Sequence, residues 1–224
     1  MHLKRYLIPC YWKVPKKGKV FTVRPRSGPH PKLMCIPLAV VIRDVLKVVS
    51  NGREANRVIK SGKLMVDKRV RKDPNFPVGL MDIVEISSIK KSFRVDIDKH
   101  GLVLKEISDA DADKKLCRVK GKRSVKKGIF QITLHDGRNI LTKESGYKNG
   151  DSLLIKIPDQ TVIKHFKFEK NTPAVVISGK NMGMRGKIKA IHERKYMFEK
   201  SRVLIETGSG DIETSKDYIL VGEI

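Results

Sequence analysis

The stretch GREANRVIKSGKLMVDKRV, residues 52–70, decides how the rest of the chain is read. Asn51, with Glu54 three residues later, has the form of a capping box in which Asn replaces Ser or Thr; it predicts a helix that Gly62 ends. At about 100° per residue, Ala55, Val58 and Ile59 fall on one side of that helix, and Arg53, Arg57 and Lys60 fall within about 60° of one another on the other. Beyond Gly62, KLMVDKRVR sets two short apolar runs about Asp67-Lys68, the pattern of a tight hairpin, although the usual Gly at the second turn position is absent. Lys68 and Arg69 are then expected at the hairpin tip, beside the basic helix face. A solvated helix face normally mixes both signs to relieve like-charge repulsion. This face is basic only, with Glu54 off to one side, and phosphate contact explains it better than solvation does.

Upstream, IPLAVVIRDVLKVVSN carries Leu38, Val41, Ile42, Val45, Leu46 and Val49 at helical spacing behind Pro37, a residue suited to a first helical turn. A nearly all-apolar, buried helix is expected there, making a helix–turn–helix pair with the next. Residues 1–36 contain Pro9, Pro15, Pro25, Pro29 and Pro31 and hold no sustained period, so they read as an extended arm. Its rings, Tyr6, Tyr11, Trp12 and Phe21, alternate with Lys4, Arg5, Lys13, Lys16, Lys17 and Lys19, a mixture suited to stacking on bases and meeting phosphates.

The charge of the whole chain agrees with that reading. Its 224 residues carry 48 Lys and Arg against 24 Asp and Glu, a formal +24, far beyond what solubility needs. Residues 1–50 hold eleven basic residues against one acidic, so the arm is expected to order where phosphates neutralise it. A polyanionic partner follows. With 40% apolar and 6% aromatic residues, the chain can bury several small cores rather than one large one. No apolar run is long enough to span a membrane, and MHLKRYLIPCYWK lacks a signal-peptide core, so a cytoplasmic protein is expected. Cys10, Cys35 and Cys117 are widely separated and odd in number, which predicts three unpaired thiols and no zinc site.

Downstream, IVEI reads as a strand, and Asp109, Asp111 and Asp113 read as a solvated loop, because the Gly and distal Glu of a calcium loop are missing. GIFQITLHDGRNIL has an Asp-Gly turn, YKNGDSLLIKI a turn before a strand, and TVIKHFKF a further strand, together a small β domain. In NTPAVVISGKNMGMRGKIKAI, Gly179, Gly183 and Gly186 call for positive φ or close backbone approach, with strands following at SRVLIET and DYILVG, as in a small closed barrel. That loop is not a Walker site, since Asn181 stands at its first glycine position and Ile188 where the magnesium-holding hydroxyl belongs. Its Lys180, Arg185 and Lys187 can touch an RNA or protein backbone, or the glycines can simply shape a turn. His135-Asp136 offers no acid–base pair, because adjacent strand residues point to opposite faces and no nucleophile is near.

GREANRVIKSGKLMVDKRVRKDPNFPVGLMDIVEI resembles the S4 RNA-binding module of ribosomal proteins, pseudouridine synthases and tyrosyl-tRNA synthetases: an Arg-x-Ala helix, Gly, a Val-Asp-x-x-Val hairpin and a later Asp-x-Val strand. VVISGKNMGMRGKI resembles the KOW motif of SH3-like barrels. With HLKR, Trp12 and RPRSGPHP ahead and LHDGRN between, the order is similar to the "e"-type S4 family of archaeal and eukaryotic small ribosomal subunits over practically the full chain. The resemblance implies an α+β, multi-domain protein with a basic extended N-terminal arm (1–36), an S4-like RNA-binding module (37–100), a central β domain (101–170) and a KOW SH3-like barrel (171–224). No motif is matched around residues 100–115.

The resemblance further implies a structural constituent of the small ribosomal subunit in the cytoplasm, with rRNA and neighbouring ribosomal proteins as partners. It implies no enzymatic activity, no cofactor, no metal, no membrane and no small-molecule substrate. Lys4, Arg5, Arg24 and Arg26 are expected to anchor the arm on RNA, and Arg53, Arg57, Lys60, Lys63, Lys68, Arg69 and Arg71 to form the main face. Two rival readings are an RNA-modifying enzyme, for which neither a glycine fingerprint nor an Arg-Leu-Asp sequence follows the module, and a free RNA-binding regulator using the KOW barrel.

Overall fold

The computed structural model describes residues 3–223 apart from 195, 197 and 209, and all but the side chain of residue 127 within them. The chain is mostly β with few helices, and it divides into two compact units: residues 1–115 with 157–159, and residues 116–156 with 160–224.

In the first unit, the helical segment behind Pro37 is shorter than its apolar periodicity predicts. Cys35–Pro37 is a strand paired with Pro77–Gly79, and helical turns occupy only Leu38–Val40 and, with π geometry, Val41–Val45. Lys47 then takes φ 54, which stops the helix; Val48 is 41% exposed. The second helix runs Gly52–Lys60 as expected, with Glu54 accepting from the Asn51 N–H at 3.3 Å in the capping box, and Gly62 at φ 77 behind it. Leu64–Val66 and Arg69–Val70 form the hairpin. Asp67 and Lys68, at φ 52 and 60, both adopt the left-handed conformation that Gly usually supplies in such a turn. The sheet continues antiparallel from Leu64–Val66 to Ile83–Ile86, Lys91–Asp98 and Gly101–Ile107. The expected boundary near residue 100 thus falls in the turn of a paired hairpin, and the first unit continues to Lys115.

The arm departs from a free extended segment, because its apolar side chains find a core. Leu3, Ile8, Trp12 and Val14 are buried; the Trp12 indole N–H donates to Cys35 O at 2.8 Å, and the chain at Trp12 runs beside Leu102. Gly101 makes this approach possible: a Cβ there would lie 2.3 Å from Tyr11 O, and its φ is +127°.

The second unit holds two five-stranded antiparallel sheets. One is ordered Asn139–Thr142, Phe130–Leu134, Lys114–Ser124, Ser152–Lys156, Val162–Phe166, over a core of Cys117, Val119, Ile132, Leu134, Leu153 and Ile155. The other is ordered Gly210–Ser215, Arg202–Thr207, Arg185–His192, Pro173–Val176, Ile219–Val221, over Val176, Ile188, Val203, Ile205 and Val221. Both expected uses of glycine occur here. Gly179 and Gly183 have φ 91 and 83, and a Cβ on Gly186 would meet Glu206 O at 2.1 Å. None of Cys10, Cys35 and Cys117 is joined in a disulfide.

Candidate nucleic-acid interface

The helix Gly52–Lys60 sorts its residues as the spacing requires: Ala55 and Ile59 are fully buried, Val58 is half-buried, and Arg53, Arg57 and Lys60 are exposed. The Glu54 carboxylate is turned to the helix start, where it accepts from the backbone N–H groups of Asn51 and Ser50 and from the Ser50 hydroxyl, while still attracting Arg57. Those bonds hold its pKa below the ordinary glutamate value. The hairpin lies against the helix C-terminus, since a Cβ on Gly62 would lie 3.4 Å from Val70 and 3.5 Å from Lys72. Helix face and hairpin therefore form one basic surface with Lys63 and Arg69, both exposed, and no acidic residue interrupts the sequence between Glu54 and Asp67.

Beside the helix N-terminus lies a groove of about 760 Å³, lined by Val23, Ala39 and Gly52, by Arg43, Asn51, Arg53, Asn56 and Arg57, and by the capping Glu54. Arg43 and Asn56 were missed from the sequence. Arg43 is one of two cations, with Lys47, in a segment read as a buried apolar helix; it forms a 2.6 Å ion pair with Asp44, and its Nη1 sits 3.4 Å from where a Cβ on Gly52 would be.

Several candidate cations are engaged within the protein. Arg5 is 5% exposed and its Nε donates to Pro15 O at 2.6 Å, so it organises the arm from inside. Lys68 forms 3.0 Å ion pairs with Glu85 and with Asp113 of the acidic loop. Burial would lower its pKa, but the hydrogen bonds to these two carboxylates outweigh that and raise it. Arg71 lies 4.4 Å over the Phe76 ring, and Arg26 is 3.5 Å from Asp73. Lys4 is exposed and Arg24 half-buried. In the second unit, Lys180, Arg185 and Lys187 are exposed on the glycine loop and the strand that follows it. The Asp109–Asp113 carboxylates bind side chains of the protein itself, Asp109 to Ser92 and Asp111 to Ser108 and Lys114; among the described residues no cluster suited to a metal ion occurs.

Beneath the hairpin lies a buried polar network with no local sequence signal. Lys115 is fully buried, with its ammonium 2.7 Å from Asp67 Oδ2 and 2.6 Å from Asp82 Oδ1; His30 Nε2 lies 3.0 Å from the same Asp82 oxygen. Burial alone would push the Asp82 carboxyl up, but Lys115 and His30 hold it well below the carboxylate range. Asp67 is raised by burial and by the charge of Asp82, against the pull of Lys115. Asp67 also accepts from the Ile83 N–H at 3.0 Å, so the network fixes the hairpin turn to the neighbouring strand. His135 and Asp136 are likewise structural: Asp136 is buried and ion-paired with Arg138 at 3.0 Å, and the Arg118 N–H lies 3.2 Å from His135 Nδ1.

Comparison with known proteins gives one answer along the chain. The RS4NT domain model matches residues 1–33, the S4 domain model residues 36–84, and a model described as Ribosomal family S4e residues 89–162. The chain is 42% identical to the small ribosomal subunit protein eS4 of Methanocaldococcus jannaschii, over 98% of this chain and 93% of that one. It is 40% identical to the Archaeoglobus fulgidus protein of the same name, over 99% and 92%. The crystal structure of the 30S ribosomal protein S4e from Thermoplasma acidophilum is similar in fold, with a TM-score of 0.73 at 28% identity, over 84% of this chain and 94% of that one.

Proposed function

The chain belongs to the ribosomal S4e family, and from that premise we propose that it is a structural constituent of the small ribosomal subunit, binding rRNA through its basic surfaces. The observation that carries this reading is the helix face of Arg53, Arg57 and Lys60: three exposed cations whose one acidic neighbour is turned into the capping box. Neutralising phosphates there lets folded rRNA segments pack closely, and recognition runs through backbone and shape more than through base identity.

In this reading Lys63 and Arg69 extend the main face, and Lys68 and Arg71 belong to it while also bracing the hairpin from within. Lys4, Arg24 and Arg26 anchor the arm, which Arg5 orders from inside. Neighbouring ribosomal proteins are the other partners. The layout we propose is the arm, the S4 module, a central β domain and a C-terminal KOW barrel formed by the sheet around Arg185–His192, with Lys180, Arg185 and Lys187 as a second RNA contact. No catalytic step belongs to this function, and His135 and Asp136 are spent on structure.

Changing Arg53, Arg57 and Lys60 together to Ala should reduce the magnitude of the log K versus log salt slope for small-subunit rRNA by about 2. An unchanged slope with the fold intact would show that this face meets solvent rather than phosphate.

A further inference from the structure

The hairpin of strands Lys114–Ser124 and Phe130–Leu134 turns through Lys126–Gly128. There the Val125 N–H donates to Ile129 O at 2.8 Å, and Gly128 takes the left-handed φ of 68° that such a three-residue loop needs. Residues 116–135 carry six Lys and Arg and no Asp or Glu. Two of these cations are engaged inside the protein. Arg118 donates to Lys216 O at 3.3 Å, and Lys122 lies 4.5 Å over the Phe130 ring and donates to Ser145 O. Lys120, Arg123 and Lys126 are exposed, and among the described residues none of them meets a carboxylate.

The register accounts for that exposure. Lys122 stands opposite the fully buried Ile132, so Arg123, opposite Gln131, falls on the other face of the strand pair. The ladder shifts between Val119 and Gly121, and Lys120 sits at the shift; Lys126 is in the loop at the hairpin tip. Other strand pairs of the chain treat surface cations differently: Lys91 lies 2.8 Å from Glu106, and Arg202 3.5 Å from Glu213, each across a paired strand. Opposite Arg123 stands an uncharged Gln131 instead. Like charges placed together without carboxylates repel one another, and a polyanion relieves that repulsion directly. The hairpin's one aromatic ring, Phe130, is already covered by the Lys122 ammonium, so the surface suits phosphates rather than stacked bases.

We propose that Lys120, Arg123 and Lys126 make this hairpin a further rRNA-binding element, one that grips the sugar–phosphate backbone by charge. The proposal rests on the rRNA-binding reading above and adds to it a site outside both the helix face of Arg53, Arg57 and Lys60 and the glycine loop.

The test uses the full-length chain with small-subunit rRNA. Acetic anhydride labelling of the unmodified chain should find Lys120 and Lys126 at least about threefold less reactive when rRNA is bound, while Lys91, held by Glu106, changes by less than about 1.5-fold. Lys120→Gln with Arg123→Gln and Lys126→Gln should reduce the magnitude of the log K versus log salt slope by about 2. Lys120→Arg with Arg123→Lys and Lys126→Arg keeps the charges and should keep the slope. Unchanged labelling of Lys120 and Lys126, or a slope unmoved by the Gln variant, overturns the hairpin site, and so does a slope lost in the charge-keeping variant. Protection seen in assembled subunits but not with rRNA alone would assign the hairpin to a neighbouring protein and overturn it as well. If the unmodified chain binds rRNA with no salt dependence, the rRNA reading itself fails; if the Arg53, Arg57 and Lys60 variant loses slope and the hairpin variant does not, the hairpin site alone fails.

Discussion

Lys115 is the residue on which the hairpin turn most depends, because its ammonium is fully buried between the carboxylates of Asp67 and Asp82. Lys115→Met would remove the ammonium that both buried carboxylates share, leaving Asp82 with His30. A loss of about 3–5 kcal/mol is expected in denaturant unfolding, since removing one partner of a buried ion pair strands the other; a loss below about 1 kcal/mol would contradict it. The pH dependence follows from Asp82. Its folded pKa is depressed, so its contribution to stability is fully present above the unfolded value of about 3.9 and is lost as pH falls through the folded value. Asp67, raised in the fold, acts in the opposite sense, because protonating it relieves its repulsion of Asp82. Asp82→Asn should therefore flatten the fall in stability below about pH 4, and an unchanged acid limb in thermal melts would count against this assignment. None of this is legible in sequence, where Lys115 looks like the end of the DADADKK run and its partners lie 48 and 33 residues away. The cations of the helix were legible, because a 3.6-residue period and a cap are local properties.

Elements with strong local punctuation emerge from the sequence nearly in place: the helix Gly52–Lys60, the turn at Asp67-Lys68, and the strands on either side of the Asp136-Gly137 turn. Two were misjudged for physical reasons. The apolar run from Pro37 has a helical period, but Cys35–Pro37 pairs as a strand with Pro77–Gly79, and Lys47 leaves the right-handed region before the run ends. The hairpin Lys91–Asp98 to Gly101–Ile107 was passed over because charged residues dilute its apolar alternation and its turn, at Lys99-His100, has no Asn-Gly or Asp-Gly signature. That hairpin also docks the arm. Gly101→Ala would place a Cβ 2.3 Å from Tyr11 O at a positive φ, so the arm is expected to lift from the sheet, shifting Trp12 emission to the red and increasing protease cleavage within residues 3–34. Unchanged emission and cleavage would mean that the arm is held elsewhere.

At the scale of the whole molecule, composition is the most direct guide. An excess of 24 positive charges on 224 residues points to a polyanion before any motif is considered, and the S4e family membership gives that polyanion an identity among ribosomal RNAs. The expectation of an extended arm ordered where phosphates neutralise it is corrected at this scale, because net charge does not reveal that Leu3, Ile8, Trp12 and Val14 can be buried while the lysines remain outside. The central claim, that this chain is built into the small ribosomal subunit, is tested most directly by gradient sedimentation of cell extract under rising salt. The account predicts one copy per small subunit, retained at salt concentrations that strip loosely bound basic proteins; migration with free protein, or release at low salt, would contradict it.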